Sequence, residues 1–337
     1  MEDSMKLEQV AKRARVSTAT VSRVLNNAIS VKTSTRTRVL KAIEELRYHP
    51  NLHARTLAGG KSRTIGVILS NMENPFFFDI YKAIEADAHA QGYEVVVANT
   101  DYQSEQLVAS IRLMIGRRVA GLAAIVSEME PALIDELAES RIPVVFYDVG
   151  APRRNITNIR VNYRRGIEKI VDYLHSVGHR RLAFIGHHAM LGPINERLKA
   201  VLDAVSRYSP PLEVRTEAGS DTLEGGRQAA GQLLNSGFQP TAIICVNDVT
   251  AVGVLRELRE RGIHVPQEMS VTGFDNIKLS EFCHPPLTTV HIPREHIGHI
   301  ICERLLPQPG RLAAVEQGLV IDPEFVLRES TGPAPAA

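Results

Sequence analysis

The apolar positions along the chain change rhythm once. Up to residue 48 they recur at helical spacing: Leu7, Val10 and Ala11 in LEQVAKRA (7–14), then Val21, Val24 and Leu25, then Val39, Leu40, Ile43 and Leu46. Residues at i, i+3 and i+4 share a helix face, so this pattern predicts three short helices around one small core. Ser17 is a good N-cap, and a tight turn at Arg15-Val16 separates the first two helices. Two short helices joined in this way form a helix-turn-helix, whose second helix reads DNA. Pro50 in HPNLHARTLAGG (49–60) stops the third helix. The Ala/Leu segment that follows it is too short to remain helical alone in water.

From Arg63 onward, apolar runs alternate with amphipathic ones. The strand-like runs are 64–70, 93–100, 121–127 and 143–149, and then 181–188, 212–217, 241–247 and 270–275. Stretches such as FFDIYKAIEADAHAQG (77–92) and VTAVGVLRELRERG (249–262) read as helices between them. Near-continuous apolar strands separated by helices predict parallel sheets covered on both faces. The series occurs twice, which predicts two similar α/β lobes with a ligand site beyond the carboxyl ends of their strands. The fold class is therefore an α-helical head followed by a two-lobed α/β body. The tail TGPAPAA (331–337) is expected to be disordered.

Charge sharpens the division. Residues 1–63 carry 13 Lys and Arg against 5 Asp and Glu, whereas the remainder carries 26 against 33. A basic head on an acidic body points to a polyanionic partner for the head alone. The second helix fits that partner. Thr and Val are mediocre helix formers, so propensity does not select VSTATVSRVLN (16–26). Short Thr, Ser, Ala and Asn side chains around one arginine suit a face lying in a DNA major groove.

The 337 residues, 44% hydrophobic and 23% charged, contain no apolar run long enough to span a membrane. The opening MEDSMKLEQVAKRA lacks an apolar h-region, so no secretory signal is expected. Cys245, Cys283 and Cys302 form no CxxC pair, which points to core cysteines in a reducing cytoplasm. His187-His188 are adjacent, His296 and His299 lack an obvious third ligand, and no HExxH occurs, so neither metal nor cofactor is expected.

VSTATVSRVLN, followed by YHPN…A…LAGG, resembles the VSxxTVSRVLN and YxPNxxAxxLxxG motifs of the lactose-repressor (LacI-type) family of bacterial transcription regulators. IGVILSNMENPFF, GYEVVVANTD, VNDVTAVGVLRELRERGIHVP, VTGFDN and LTTVHIP extend the resemblance over essentially residues 6–330. It implies a DNA-binding domain (1–48), a hinge helix and linker (49–61) that forms on operator DNA, and an effector-binding and dimerisation body (62–330). The body would be of the periplasmic-binding-protein type. Its N-lobe spans about 62–161 and 289–320, its C-lobe about 162–288 and 321–330, and the last of three crossings falls near Thr288–Pro293. The implied function is a non-enzymatic repressor acting as a homodimer on an inverted-repeat operator. A small polar effector, a sugar or sugar derivative, would control it.

For the reader, the resemblance implies base contacts by Thr18, Ala19 and Arg23, with Ser17, Ser22 and Asn26 suited to phosphates. Asn51, Ala54 and Leu57 of the hinge join them on DNA. Leu57 is either the wedge that enters a base step or a residue packed on the body. Effector contacts are implied for Ser70, Phe76, Phe77, Asp148, Arg197, Asn247 and Asp275. Phe76 and Phe77 either stack on a ligand ring or simply begin the first body helix.

The chain departs from the family at Arg15, where the turn usually has glycine. It departs again at Lys32, where a serine usually opens the third helix and Thr33 or Ser34 would cap instead. A polar pocket residue is replaced near Ile125–Val126, and no C-terminal leucine heptad is present. Two other classes fit less well. A helix-turn-helix sugar kinase needs a glycine-rich DxGxT motif that TIGVILSNMENP lacks. A plain solute-binding protein is opposed by the basic head.

Overall fold

The structure, a computed structural model, describes residues 2–25, 31–48, 62–127, 129–140, 142–149, 152–187, 192–306 and 318–336. They fall into two compact units, Met1–Ser62 and Arg63–Ala337.

In the first unit, α1 (Glu2–Ala14), α2 (Thr18–Leu25) and α3 (Thr33–Glu45) close around Val10, Ala14, Val21, Val24, Val39 and Tyr48. Leu40 and Leu46, expected in this core, are instead 51% and 41% exposed. The inward stripe of α3 is Val39, Ala42 and Ile43. Leu40 lies about 100° around the helix from Val39, beyond the arc that two short helices cover. α1 ends in a Schellman turn: the Val16 N–H bonds the Ala11 carbonyl at 3.0 Å, and the Arg15 N–H bonds that of Lys12 at 3.2 Å. Arg15 sits at φ +53°, so the turn keeps the left-handed conformation natural to glycine, at a cost of about 1 kcal/mol. Neither Thr33 nor Ser34 caps α3. Lys32 holds the N-cap position without a side-chain bond, because the following residues already have helical backbone.

The second unit contains two parallel sheets. The first consists of β1 (Thr64–Leu69), β2 (Glu94–Asn99), β3 (Gly121–Ile125), β4 (Val144–Tyr147), β5 (Ile156–Val161) and β11 (Gly318–Ile321), in the order β11-β5-β4-β3-β1-β2. The second consists of β6 (Arg181–His187), β7 (Glu213–Gly219), β8 (Ala242–Cys245) and β9 (Ser270–Thr272), in the order β7-β6-β8-β9. Helices α4 (Pro75–Ala90), α5 (Ser104–Gly116), α6 (Pro131–Glu139) and α12 (Arg294–Leu305) accompany the first sheet. With the second go α7 (Tyr163–Ser176), α8 (Gly192–Ser206), α9 (Leu223–Asn235), α10 (Asp248–Glu260) and the short α11 (Leu279–Phe282). β1 shows the logic of the central strands: TIGVIL is buried from Ile65 to Leu69, as a strand covered on both faces must be.

The chain passes between the sheets first after β5. It passes again along β10 (Thr289–His291), and it returns along β12 (Glu324–Val326), which pairs antiparallel with β10. The last crossing is therefore β12 and not 288–293, because β11 must first reach the edge of the first sheet and the chain must then come back. The tail is also corrected. Thr288 and Thr331 share a hydroxyl bond of 2.9 Å, the Gly332 N–H donates to Ser270 Oγ at 3.1 Å, and the Ala334 N–H donates to the Val177 carbonyl at 2.9 Å. Backbone and hydroxyl bonds anchor a segment whose composition reads as disordered.

Candidate functional site

In the first unit, α2 turns Val21 and Val24 inward and leaves Ser17, Thr18, Ala19 and Arg23 exposed, with Ser22 half-buried. Ser17 caps this helix: its Oγ accepts the Thr20 N–H at 3.2 Å and meets Thr20 Oγ1 at 3.0 Å. An Arg13–Glu45 ion pair of 2.6 Å ties α1 to α3 behind it. The result is a short polar face carrying one exposed arginine on a three-helix base. Asn26, Asn51, Ala54 and Leu57 lie outside the described residues.

In the second unit, the carboxyl ends of the strands of both sheets converge on one cleft. Phe76, Phe77, Asp148, Arg197, Asn247 and Asp275 all line it, although they come from five separate stretches of sequence. Ser70 does not. It ends β1, where its Oγ accepts the Ser127 N–H at 2.9 Å and its own N–H bonds the Ile125 carbonyl at 3.1 Å, so it ties β1 to β3.

Among the helix starts that line the cleft, those of α4 and α10 are capped by asparagines that line it too. Asn74 Oδ1 accepts the Phe76 N–H at 3.0 Å with Pro75 in the first turn, which starts α4 before the expected Phe77. Asn247 Oδ1 accepts the Thr250 N–H at 2.8 Å. Phe76 meets Phe77 edge-on at 5.4 Å and Tyr147 at 5.8 Å. The two phenylalanines thus serve both the helix start and the cleft wall.

Arg197 is the centre of the cleft. Its guanidinium lies 4.4 Å from the Tyr163 ring centroid and 4.7 Å from that of Phe274, and its Nη1 donates to the Val246 carbonyl at 2.9 Å. Its Nη2 is 3.6 Å from Asp275 Oδ1. Among the described residues, Arg197 Nε, Asp275 Oδ1 and Tyr147 Oη are buried and find no hydrogen-bond partner. Buried polar atoms are normally satisfied, so orphans aimed into a cleft mark where a ligand would bond. Burial pushes the carboxyls of Asp148 and Asp275 up to about 6. The Asp148 shift is opposed by hydrogen bonds from the Tyr163 hydroxyl and the Val161 N–H, the Asp275 shift by the charges of Arg197 and Arg294.

Several lining residues carry no sequence signal. Tyr102, from the turn after β2, donates to Asp221, from the turn after β7, and so joins the two lobes. Asn71 Nδ2 reaches the same carboxylate at 3.4 Å. Arg294 was also missed: it donates to the carbonyls of Asp275 and Asn276 and pairs with Asp79 at 3.1 Å. It thereby holds a loop in which Asp275 has φ +110° and Asn276 φ +53°. The histidines at 175 and 179, four residues apart, have separate work: His175 stacks on Tyr208 at 3.9 Å, and His179 Nδ1 meets Thr241 Oγ1 at 2.8 Å.

A family model described as "Bacterial regulatory proteins, lacI family" matches residues 6–51, and one described as "Periplasmic binding protein-like domain" matches residues 171–331. The chain is 33% identical over 335 residues to the HTH-type transcriptional repressor CytR of Escherichia coli (strain K12), covering 99% of this chain and 98% of that protein. It is likewise 33% identical to the HTH-type transcriptional regulator DegA of Bacillus subtilis (strain 168), covering 96% and 97%. Among solved structures, the lac repressor dimer bound to operator and the anti-inducer ONPF is similar with a TM-score of 0.83 and 30% identity, over 96% of this chain and 98% of that one. A helix-turn-helix unit, a two-sheet body and this near-complete coverage agree: the chain belongs to the LacI family of bacterial regulatory proteins.

Proposed function

We propose that the protein is a transcriptional repressor that binds an inverted-repeat operator as a homodimer and is controlled by a small polar effector in the cleft. The observation that carries this reading is the conjunction, in one chain, of an exposed reader face on α2 with a cleft that holds unpartnered buried polar atoms. Thr18, Ala19 and Arg23 contact bases, Ser17 and Ser22 contact phosphates, and Asn26, Asn51, Ala54 and Leu57 complete the DNA surface. Phe76, Phe77, Asp148, Arg197, Asn247 and Asp275 receive the effector. The protein acts by binding and not by catalysis, in the cytoplasm where its DNA lies.

The void among the cleft side chains is about 40 Å³, less than a sugar-sized molecule needs. Effector entry therefore parts the lobes, and that movement is what DNA affinity follows. Exposed Leu223, Leu279 and Phe282 on the second lobe support pairing with a second copy. One reader helix covers only a few base pairs, so a two-fold pair needs two half-sites. Selection of operators from random DNA, followed by fluorescence anisotropy, tests the proposal. An inverted repeat is expected, bound far more tightly than either half alone. Equal affinity for a single half-site would refute it.

A further inference from the structure

We infer that the cleft takes an uncharged, hydroxyl-bearing ring compound and rejects the phosphorylated and carboxylated forms of the same compound. This rests on the cleft being the effector site. The first argument is charge. Among the described lining residues there are three carboxylates, Asp148, Asp221 and Asp275, against one guanidinium, Arg197. That guanidinium is already sandwiched by two rings, bonded to the Val246 carbonyl and paired with Asp275. Arg294 spends its donors on two backbone carbonyls and Asp79. The His187 ring stands 3.8 Å from Asp221 and faces that carboxylate. An oxyanion entering this enclosure would meet like charge in a poorly screened interior.

The second argument is independent of net charge. Anions in proteins commonly sit on the free N–H groups of helix starts. Of the helix starts that line this cleft, three are already occupied by side-chain caps: Asn74 on the Phe76 N–H, Asn247 on the Thr250 N–H and Asn162 on the Arg165 N–H. The fourth, α8, has Pro193 in its first turn, which has no N–H to offer.

The third argument is hydrogen-bond polarity. The orphaned atoms are two donors, Arg197 Nε–H and the Tyr147 hydroxyl, and one acceptor, Asp275 Oδ1. A hydroxyl group both donates and accepts, so a polyol can satisfy all three. A phosphate dianion or a carboxylate only accepts, so wherever that group takes the place of a hydroxyl against Asp275 Oδ1 the atom stays unpaired and meets like charge.

The test uses the full-length protein at pH 8, where Asp148 and Asp275 are ionised. Matched pairs are screened by thermal shift and then by isothermal titration: neutral pentoses, hexoses and nucleosides, each against its monophosphate, and aldoses against their aldonic acids. Wild type, Arg197→Ala and Asp275→Asn are compared. The expected result is a neutral member that raises Tm and binds at least 30-fold more tightly than its anionic partner. That gap should narrow at least threefold in Asp275→Asn. An anion that binds as tightly as its neutral partner, and is lost in Arg197→Ala, overturns the inference while leaving the cleft as the effector site. Binding that Arg197→Ala leaves untouched, or silence from every probe, overturns the reading of the cleft itself.

Discussion

Arg197 is held in place before any ligand arrives. The rings of Tyr163 and Phe274 and the Val246 carbonyl fix its plane, so its Nε–H is presented without loss of side-chain freedom on binding. Arg197→Ala should weaken effector binding at least tenfold by titration calorimetry, since a buried charged hydrogen bond contributes about 1.5–3 kcal/mol. Operator affinity without effector should remain near wild type. Arg197→Lys should fail to restore binding, because an ammonium lacks the planar fork that the rings hold. At Arg15 the cost runs the other way: a left-handed φ of +53° favours glycine. Arg15→Gly should stabilise the reader by about 1 kcal/mol, seen as roughly fivefold slower amide exchange at Val10 and Val21. Unchanged exchange would count against strain at that turn. Arg197 and Asp275 were legible because each lies in a local motif, NERLKAV and GFDN. Tyr102 and Asp221, 119 residues apart, meet only because the two turns face each other across the cleft, and no spacing rule links them.

At the scale of elements, the start of α10 organises the loop that carries Asp275. Asp248 is buried, accepts the Ile277 N–H at 2.8 Å and the Thr289 hydroxyl at 2.5 Å, and so joins α10, the 275–277 loop and β10. Burial, and then the charge of Asp275, push its carboxyl up to about 8. A carboxyl that holds its proton more tightly when folded than when unfolded costs stability as pH rises, here from about 4 to about 8. Below that window the group is protonated in both states and costs nothing. Urea unfolding should therefore show wild type losing stability from pH 5 to pH 8, by up to roughly 1.4 kcal/mol per pH unit from this group. Asp248→Asn, which cannot ionise, should flatten that slope, and an unchanged slope would exclude Asp248 as its source. Strands with continuous apolar runs could be read from sequence. β5 could not, because Thr157, Asn158 and Arg160 interrupt ITNIRV; the buried Asn158 donates its Nδ2 to the Val149 carbonyl at 2.8 Å.

For the whole molecule, the charge division matters most. An acidic body repels DNA while the basic head engages it, so operator affinity should fall steeply with salt in anisotropy titrations from 50 to 200 mM, a range typical for such tests. A shallow dependence would mean that few phosphates are touched. The two-lobed body was legible from the repeated strand–helix rhythm, and the family resemblance placed 289–320 back in the first lobe, where β11 joins the sheet. The anchoring of the tail was not legible, because its hydrogen bonds return to partners far back along the chain. That return has a consequence for how the protein is made. The reader has its whole core by Tyr48, whereas the clamp on Asp275 awaits Arg294, and the buried His179 ring awaits the Gly332 carbonyl at 3.1 Å. A ribosome adding roughly 5–20 residues per second would leave a folded reader exposed for tens of seconds before its control unit exists. On the proposed inverted-repeat operator, such a nascent chain would engage a single half-site. Under the proposed dimeric mechanism, the need for two finished bodies to pair would act as a check on synthesis, keeping uncontrollable fragments off the operator.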